Sequence, residues 1–304
     1  MKTLAADLEQ LRLAALTWGP VDDRDRPLAV LLHGFPDTAH TWRHLGPALA
    51  GAGFRVVAPF TRGYAPSGLP ADGSYHVPAL MRDVLELHAA LGGDGRSVVV
   101  GHDWGAITAN GLAALPDGPF ARVVSMAVPP VPALRPAAAD VSRWARILPR
   151  QAALSWYVAF NQLPALPERS FERLAAHLWR RWSPAYDATA DLEHLAAALP
   201  TRERRAAAIG YYRAQARPWQ LPSRYRDLAR VWLAEPRVPL LYLQGSDDGC
   251  LAPAWTARLS ALSARLPAGS RAAVVADAGH FLQLERPDVV ADRVLEFLAE
   301  GNLP

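Results

Sequence analysis

Three consecutive valines, Val98 to Val100, run directly into Gly101-His102-Asp103-Trp104-Gly105-Ala106, and this join constrains the fold more than any other stretch of the chain. A β-branched run of this kind reads as a buried strand, and the small and apolar residues beyond it read as a helix. Between the two, a glycine stands two positions before an aspartate and another two positions after it. That is the spacing of a strand–turn–helix elbow. Strand and helix backbones crowd together there, so small residues must flank the turn, and the central side chain is thrown clear of the sheet. It then faces the N-terminus of the following helix, whose free N–H groups and dipole favour an anion. An isolated Gly-x-Asp-x-Gly also fits an ordinary turn with an N-capping aspartate, so the elbow needs support from the rest of the chain.

Short apolar runs alternate with longer segments of helical period along most of the sequence, the pattern of a mostly parallel sheet covered by helices. The strands expected are Leu28 to Leu32, Arg55 to Ala58, Ser97 to Val100, Arg122 to Ala127, Pro239 to Leu243 and Arg271 to Val275. Leu13 to Trp18 reads as an antiparallel edge strand leading in. Helices are expected over Tyr75 to Leu91, Gly105 to Leu115, Pro253 to Leu266 and Pro287 to Glu300. The alternation stops between Pro129 and Pro236, where amphipathic patterns rich in Trp, Tyr, Leu and Arg replace strands. Prolines at 129, 130, 132 and 136 open that stretch, and Pro236 and Pro239 close it, as hinge chemistry requires. The expected architecture is therefore an α/β core over residues 1–134 and 237–304, with a helical cap inserted over 135–236.

A chain of 304 residues suits one domain carrying such an insertion. Mean hydropathy is near zero and no apolar run reaches the roughly 20 residues needed to span a bilayer, so no membrane association is expected. The acidic residues early in the N-terminal stretch argue against a signal peptide, and the single Cys250 cannot form an internal disulfide. A soluble cytoplasmic protein is the simplest reading. The isoelectric point of 9.2 accompanies a net charge of only +3. The one dense basic cluster, Arg202, Arg204 and Arg205, is interrupted by Glu203, so no nucleic-acid partner is expected. His40 and His44 are four apart but lack companion carboxylates, and no metal is expected.

Two further strand ends carry chemistry. His33-Gly34-Phe35-Pro36 closes the first parallel strand, where this kind of fold supplies a second oxyanion N–H from the residue after the glycine, here Phe35. Gly245-Ser246-Asp247-Asp248 ends a later strand in acids, and Gly279-His280-Phe281 follows the last strand. Nucleophile, acid and histidine thus stand in one chain order, each just past the C-terminal end of a strand.

With these motifs the sequence resembles the epoxide hydrolase and haloalkane dehalogenase branch of the α/β-hydrolase superfamily over nearly its full length. HGFP at 33 to 36 and GHDWG at 101 to 105 resemble the signatures of soluble epoxide hydrolases, and Arg62-Gly63-Tyr64-Ala65-Pro66-Ser67 resembles the family's RGYGxS loop. The resemblance implies Asp103 as nucleophile, His280 as base, and Asp248, three residues after a glycine, as the acid that orients it. Asp247 is left as a turn residue. It implies an oxyanion hole from the N–H groups of Phe35 and Trp104. It also implies two cap tyrosines that protonate the departing oxygen. Tyr211-Tyr212-Arg213 resembles the family's WYR motif and puts the second tyrosine at Tyr212. Tyr157-Val158-Ala159-Phe160-Asn161-Gln162 resembles the segment of the first tyrosine. Aligned on a Tyr-Phe-Gln ending, Phe160 takes the tyrosine position, and Tyr157 lies one helical turn earlier. Substrate contacts are thus expected from Tyr157, Phe160 and Trp104, with a small apolar epoxide or alkyl halide as ligand and no cofactor. The alternatives from the sequence are a haloalkane dehalogenase, another hydrolase on this scaffold, and a binding protein that keeps the fold without the chemistry.

Overall fold

The computed structural model describes residues 1–130, 141–251 and 266–300, with backbone alone over 141–146. One eight-stranded sheet runs in the order β1-β2-β4-β3-β5-β6-β7-β8. Its strands are β1 (Lys2–Asp7), β2 (Arg12–Trp18), β3 (Leu28–Leu32), β4 (Arg55–Pro59), β5 (Ser97–His102), β6 (Phe120–Met126), β7 (Leu240–Gly245) and β8 (Arg271–Val275). All pairings among β3 to β8 are parallel, while β1 with β2 and β2 with β4 are antiparallel. Strands β3, β4, β5 and β7 are buried along their whole length, which is why their centres read as continuous apolar runs rather than alternating ones.

The N-terminus departs from expectation. The strand read from Leu13 to Trp18 is present as β2, yet it is not the edge, because β1 pairs outside it from Lys2↔Thr17 to Asp7↔Arg12. β1 is exposed at most of its positions and includes Lys2 and Asp7, so it carries no apolar signature. Charged residues of this kind suit a sheet edge, where they discourage pairing with another chain.

Around the sheet lie α1 (Leu45–Gly51), α2 (Val77–Ala90), α3 (Trp104–Ala113) and a final helix, Pro287–Ala299. α2 starts two residues later than the periodicity predicts. His76 is still extended, and Pro78, which has no N–H to donate, occupies the first turn. The helix expected over Pro253 to Leu266 falls, all but its last residue, outside the described residues.

Between β6 and β7 every described element is helical: α4 (Val141–Leu154), α5 (Trp156–Phe160), α6 (Leu166–Arg169), α7 (Phe171–Trp182), α8 (Thr189–Ala198), α9 (Arg202–Gln215) and shorter helical turns. α7 shows why this layer sits on the sheet. Phe171, Leu174, Ala175, Leu178, Trp179 and Trp182 recur at helical spacing and are all buried. The Trp179 ring stacks on Phe281, and its Nε1–H donates to the Pro36 carbonyl at 2.8 Å. The Tyr211 hydroxyl of α9 donates to the Arg62 carbonyl at 2.9 Å. Arg62 is itself fixed by a buried two-pronged pair with Asp83, at 2.6 and 2.7 Å. Arg204 donates to the Gly63 and Ser67 carbonyls and ties the layer to the core, while Arg205 pairs with Glu172 and ties α9 to α7 within the layer.

Candidate active site

The elbow is as tight as its glycines require. A Cβ on Gly101 would lie 2.1 Å from the Gly105 carbonyl oxygen, and one on Gly105 would lie 2.0 Å from that of Leu32. No side chain fits where β5, α3 and β3 converge. Asp103 takes the strain of the turn, with φ 52° and ψ −115°. Its carboxylate is buried, and Oδ1 accepts the Phe35 N–H at 2.8 Å. Trp104 opens α3, so its N–H belongs to the unsatisfied first turn of the helix.

His280 comes to the same point from beyond β8. Its N–H donates to the Trp182 carbonyl at 2.9 Å, which ties the loop to α7. Its Nδ1 lies 3.0 Å from Asp248 Oδ2, and its Nε2 lies 3.7 Å from Asp103 Oδ2. Asp248 is fully engaged. Oδ1 accepts the N–H groups of Cys250 and Leu251 at 2.6 and 3.0 Å, and Oδ2 also accepts Gln244 Nε2 at 2.5 Å. Asp247 is exposed and its N–H closes the turn onto the Ala278 carbonyl. The structure therefore brings Asp103, Asp248 and His280 together and leaves Asp247 outside.

Burial alone would push the Asp103 carboxyl up, but His280, His102 and the Phe35 N–H outweigh it and hold the group below its ordinary range. Burial likewise opposes charge on His280. The carboxylates of Asp248 and Asp103 outweigh that cost and raise its pKa to about 10. At neutral pH the site thus holds an imidazolium between two carboxylates. His102 behaves oppositely. Burial and the neighbouring His280 push it down to about 3, so it stays neutral, with its Nε2 2.9 Å from the His280 carbonyl.

A cavity of about 260 Å³ opens above Asp103, lined among others by Trp104, Ile107, Tyr157, Tyr212 and Cys250. The Tyr157 and Tyr212 rings meet edge-on in it, 5.6 Å apart at 88°. Tyr212 is also held edge-on by Phe35 and Trp104, each with ring centroids 5.0 Å away. Its hydroxyl is buried and has no hydrogen-bond partner. The Tyr157 hydroxyl lies 3.4 Å from Cys250 Sγ. Burial pushes both phenols well above the usual tyrosine range, so both keep their protons.

Phe160, expected among the substrate contacts, is not a lining residue of this cavity. It ends α5 with its ring edge-on against Trp156, 5.7 Å away. Residues one helical turn apart share roughly one face, so packing rather than helix geometry separates them: Tyr157 meets Tyr212 and Trp182, while Phe160 meets Trp156. The phenol that meets Tyr212 in the cavity therefore comes from Tyr157.

Three supporting residues were not singled out from the sequence. Gln244 anchors Asp248 from inside β7. Cys250 lines the cavity two residues beyond Asp248. Arg213 clamps α9 to the end of α5, donating to the Asn161 and Leu163 carbonyls at 2.9 and 2.6 Å and to Glu168 at 2.6 Å. The signal for Arg213 was its place directly after Tyr212. Gln244 and Cys250 offered none, since their neighbours are set by tertiary structure. Asp248, Cys250 and His280 are also the one group of ligand-type side chains, among the described residues, close enough to share a metal ion.

This fold and this site define an α/β hydrolase. Residues 27–287 match the α/β hydrolase fold family, and the chain belongs to it, as an epoxide hydrolase-like member. It is 31% identical over 312 residues to epoxide hydrolase A of Mycobacterium tuberculosis, an alignment covering 90% of each chain. The crystal structure of epoxide hydrolase A from Mycobacterium thermoresistibile superimposes with a TM-score of 0.73 at 26% identity, covering 100% of both chains. An epoxide hydrolase from an endophytic Streptomyces superimposes with a TM-score of 0.75 at 28% identity, covering 98% of this chain and 95% of that one. Among the described residues, no helix is long and apolar enough to cross a membrane.

Proposed function

We propose that this enzyme opens small apolar epoxides to vicinal diols through an alkyl ester on Asp103. The observation that carries the reading is the pair of protonated, buried phenols, Tyr157 and Tyr212, facing the Asp103 carboxylate across one cavity. A carboxylate attacks saturated carbon, and a strained ring oxygen leaving as alkoxide needs a proton donor within reach. The partnerless Tyr212 hydroxyl is suited to that task.

Oδ1 of Asp103 is occupied by the Phe35 N–H, so Oδ2 is the attacking atom. Oδ2 bonds to a ring carbon, the carbon–oxygen bond breaks, and the alkoxide takes a proton from a cavity phenol. The resulting ester is neutral. One of the two charges that hold His280 protonated has gone, so the imidazolium releases its proton, which restores the phenol, and His280 becomes a base. Oriented by Asp248, it then takes a proton from water, and the hydroxide adds to the ester carbonyl carbon. The oxyanion formed lies between the N–H groups of Phe35 and Trp104, each contributing about 3 kcal/mol in comparable sites. Collapse expels the diol oxygen, which is protonated by His280, and leaves Asp103 as a carboxylic acid whose proton passes to His280, restoring the carboxylate and the imidazolium. The scheme uses no cofactor.

The helices α4 to α9 act in this reading as a cap that excludes bulk water and shapes substrate choice. A cytoplasmic enzyme fits the near-zero mean hydropathy and the one free, buried cysteine. A single turnover in oxygen-18 water tests the central step. Label should enter the Asp103 carboxylate, and labelled diol beside unlabelled Asp103 overturns the ester mechanism. Halide release from bromoalkanes without diol from aryl epoxides would move the reading to dehalogenation.

A further inference from the structure

We propose that Asp248, Cys250 and His280 form a binding site for a thiophilic divalent cation of the zinc and cadmium kind, and that an ion held there stops turnover. The ligand atoms of the three side chains lie within 4.8 Å of one another, and all three residues are buried. One thiolate, one imidazole and one carboxylate make a mixed soft set that suits a tetrahedral ion with water as fourth ligand. Calcium and magnesium want six or more oxygens, which this group does not offer.

A further observation points to a ligand here. Cys250 lines the cavity that reaches Asp103, so an ion arrives by the substrate's route. Burial and the carboxylates of Asp248 and Asp103 keep the free thiol protonated. The same carboxylates attract a cation, and coordination removes the thiol proton outright. On binding, Cys250 and His280 each release one proton to solvent, bonds form from the metal to sulfur, nitrogen and oxygen, and nothing is oxidised or reduced. The cost is the His280 hydrogen bond to Asp248 Oδ2, while Oδ1 keeps the N–H groups of Cys250 and Leu251.

Binding itself is independent of the epoxide reading; the form of inhibition rests on it. A metal-bound His280 cannot deprotonate water, so the Asp103 ester should form and persist. Titration of the purified enzyme with cadmium ions should show one ion bound by calorimetry and a thiolate-to-cadmium charge-transfer band in the ultraviolet. Cys250→Ala should lose the band and weaken binding by roughly 100-fold or more, with a melting curve in chelator confirming that the variant folds. The wild-type cadmium NMR shift provides a second measurement that needs no variant, and should report mixed sulfur, nitrogen and oxygen ligands. Equal affinity in Cys250→Ala, no band, or an all-oxygen shift overturns the site. Saturation of the band with turnover intact overturns the inhibition. Failure of the epoxide reading would appear instead as absence of diol in metal-free buffer, with the spectroscopic titration unaffected.

Discussion

The Phe35 N–H donates to Asp103 Oδ1 at 2.8 Å, across 68 residues of sequence, and this contact divides the work of the two carboxylate oxygens. Oδ1 already sits where an oxyanion would develop, and Oδ2 faces His280 Nε2 at 3.7 Å. His280 is therefore needed for the second half-reaction and not for the first. In His280→Gln the ester should form at a rate near that of the wild type, while its hydrolysis slows by roughly 1,000-fold. Intact-mass measurement after mixing with an aryl epoxide should find enzyme plus one substrate, mapped to Asp103. Rapid diol release by this variant would remove His280 from the mechanism.

The cavity makes a sharp distinction among three neighbouring aromatic residues. Tyr157→Phe and Tyr212→Phe should each slow ester formation by roughly 100-fold, the usual contribution of a positioned acid, and the double variant should lose more than either. Phe160→Leu removes a ring that packs on Trp156 outside the cavity, so ester formation should change by less than about threefold. Stopped-flow tryptophan fluorescence, which reads the ester-forming step directly, is the measurement to use. A Phe160 effect as large as that of Tyr157 would reverse the assignment.

His280 supplies a pH signature whose sign follows from its two carboxylate neighbours. Its folded-state pKa of about 10 lies above the ordinary value of 6.5. The stabilisation from its ion pairs is thus complete below about pH 6.5 and is lost as pH rises through about 10. Asp103 works in the opposite sense. Its pKa lies below the ordinary 3.8, so its share is present above that value and fades as pH falls further. Asp103→Asn removes one of the two charges, and the His280 imidazole NMR titration should move to lower pH. The fall in melting temperature between pH 6.5 and 10 should also be shallower in that variant than in the wild type. An unmoved titration would mean that Asp103 does not hold the His280 proton.

Periodicity made the parallel strands legible because buried strands such as Val98 to Val100 can hardly be anything else. It missed β1, whose exposed positions carry no pattern. Within the site, Asp103, His280 and Asp248 were readable because each stands at a strand end beside glycines that the backbone requires. Tyr157 was harder to place. Short helices such as α5 impose no spacing that fixes which aromatic residue turns inward, and the choice between Tyr157 and Phe160 is made by packing against Tyr212 and Trp182. Cys250 and Gln244 meet their partners only once the loop after β7 folds against β8 and α7.

Arg213 offers a test of how the two phenols are held together. Its guanidinium reaches the Asn161 and Leu163 carbonyls beyond α5 and pairs with Glu168 at 2.6 Å, so one side chain on α9 sets the position of the helix that carries Tyr157. Glu168 is largely buried and Arg213 is partly exposed, with side-chain exposures of 6% and 19%. Arg213→Ala leaves the carboxylate without its partner and should cost about 2–3 kcal/mol in urea denaturation, less than a fully buried pair because water reaches the arginine side. Ester formation should fall as well, although both tyrosines remain. Adding Glu168→Gln removes the stranded charge and should recover part of the stability. It should restore little of the rate, since the Arg213 bonds to the Asn161 and Leu163 carbonyls stay lost. Among the described residues, only Gln162 Nε2 on the Tyr212 carbonyl, at 3.2 Å, then still ties the end of α5 to α9 by a hydrogen bond. Full recovery of the rate together with stability would show that Arg213 acts only through folding and not by positioning Tyr157.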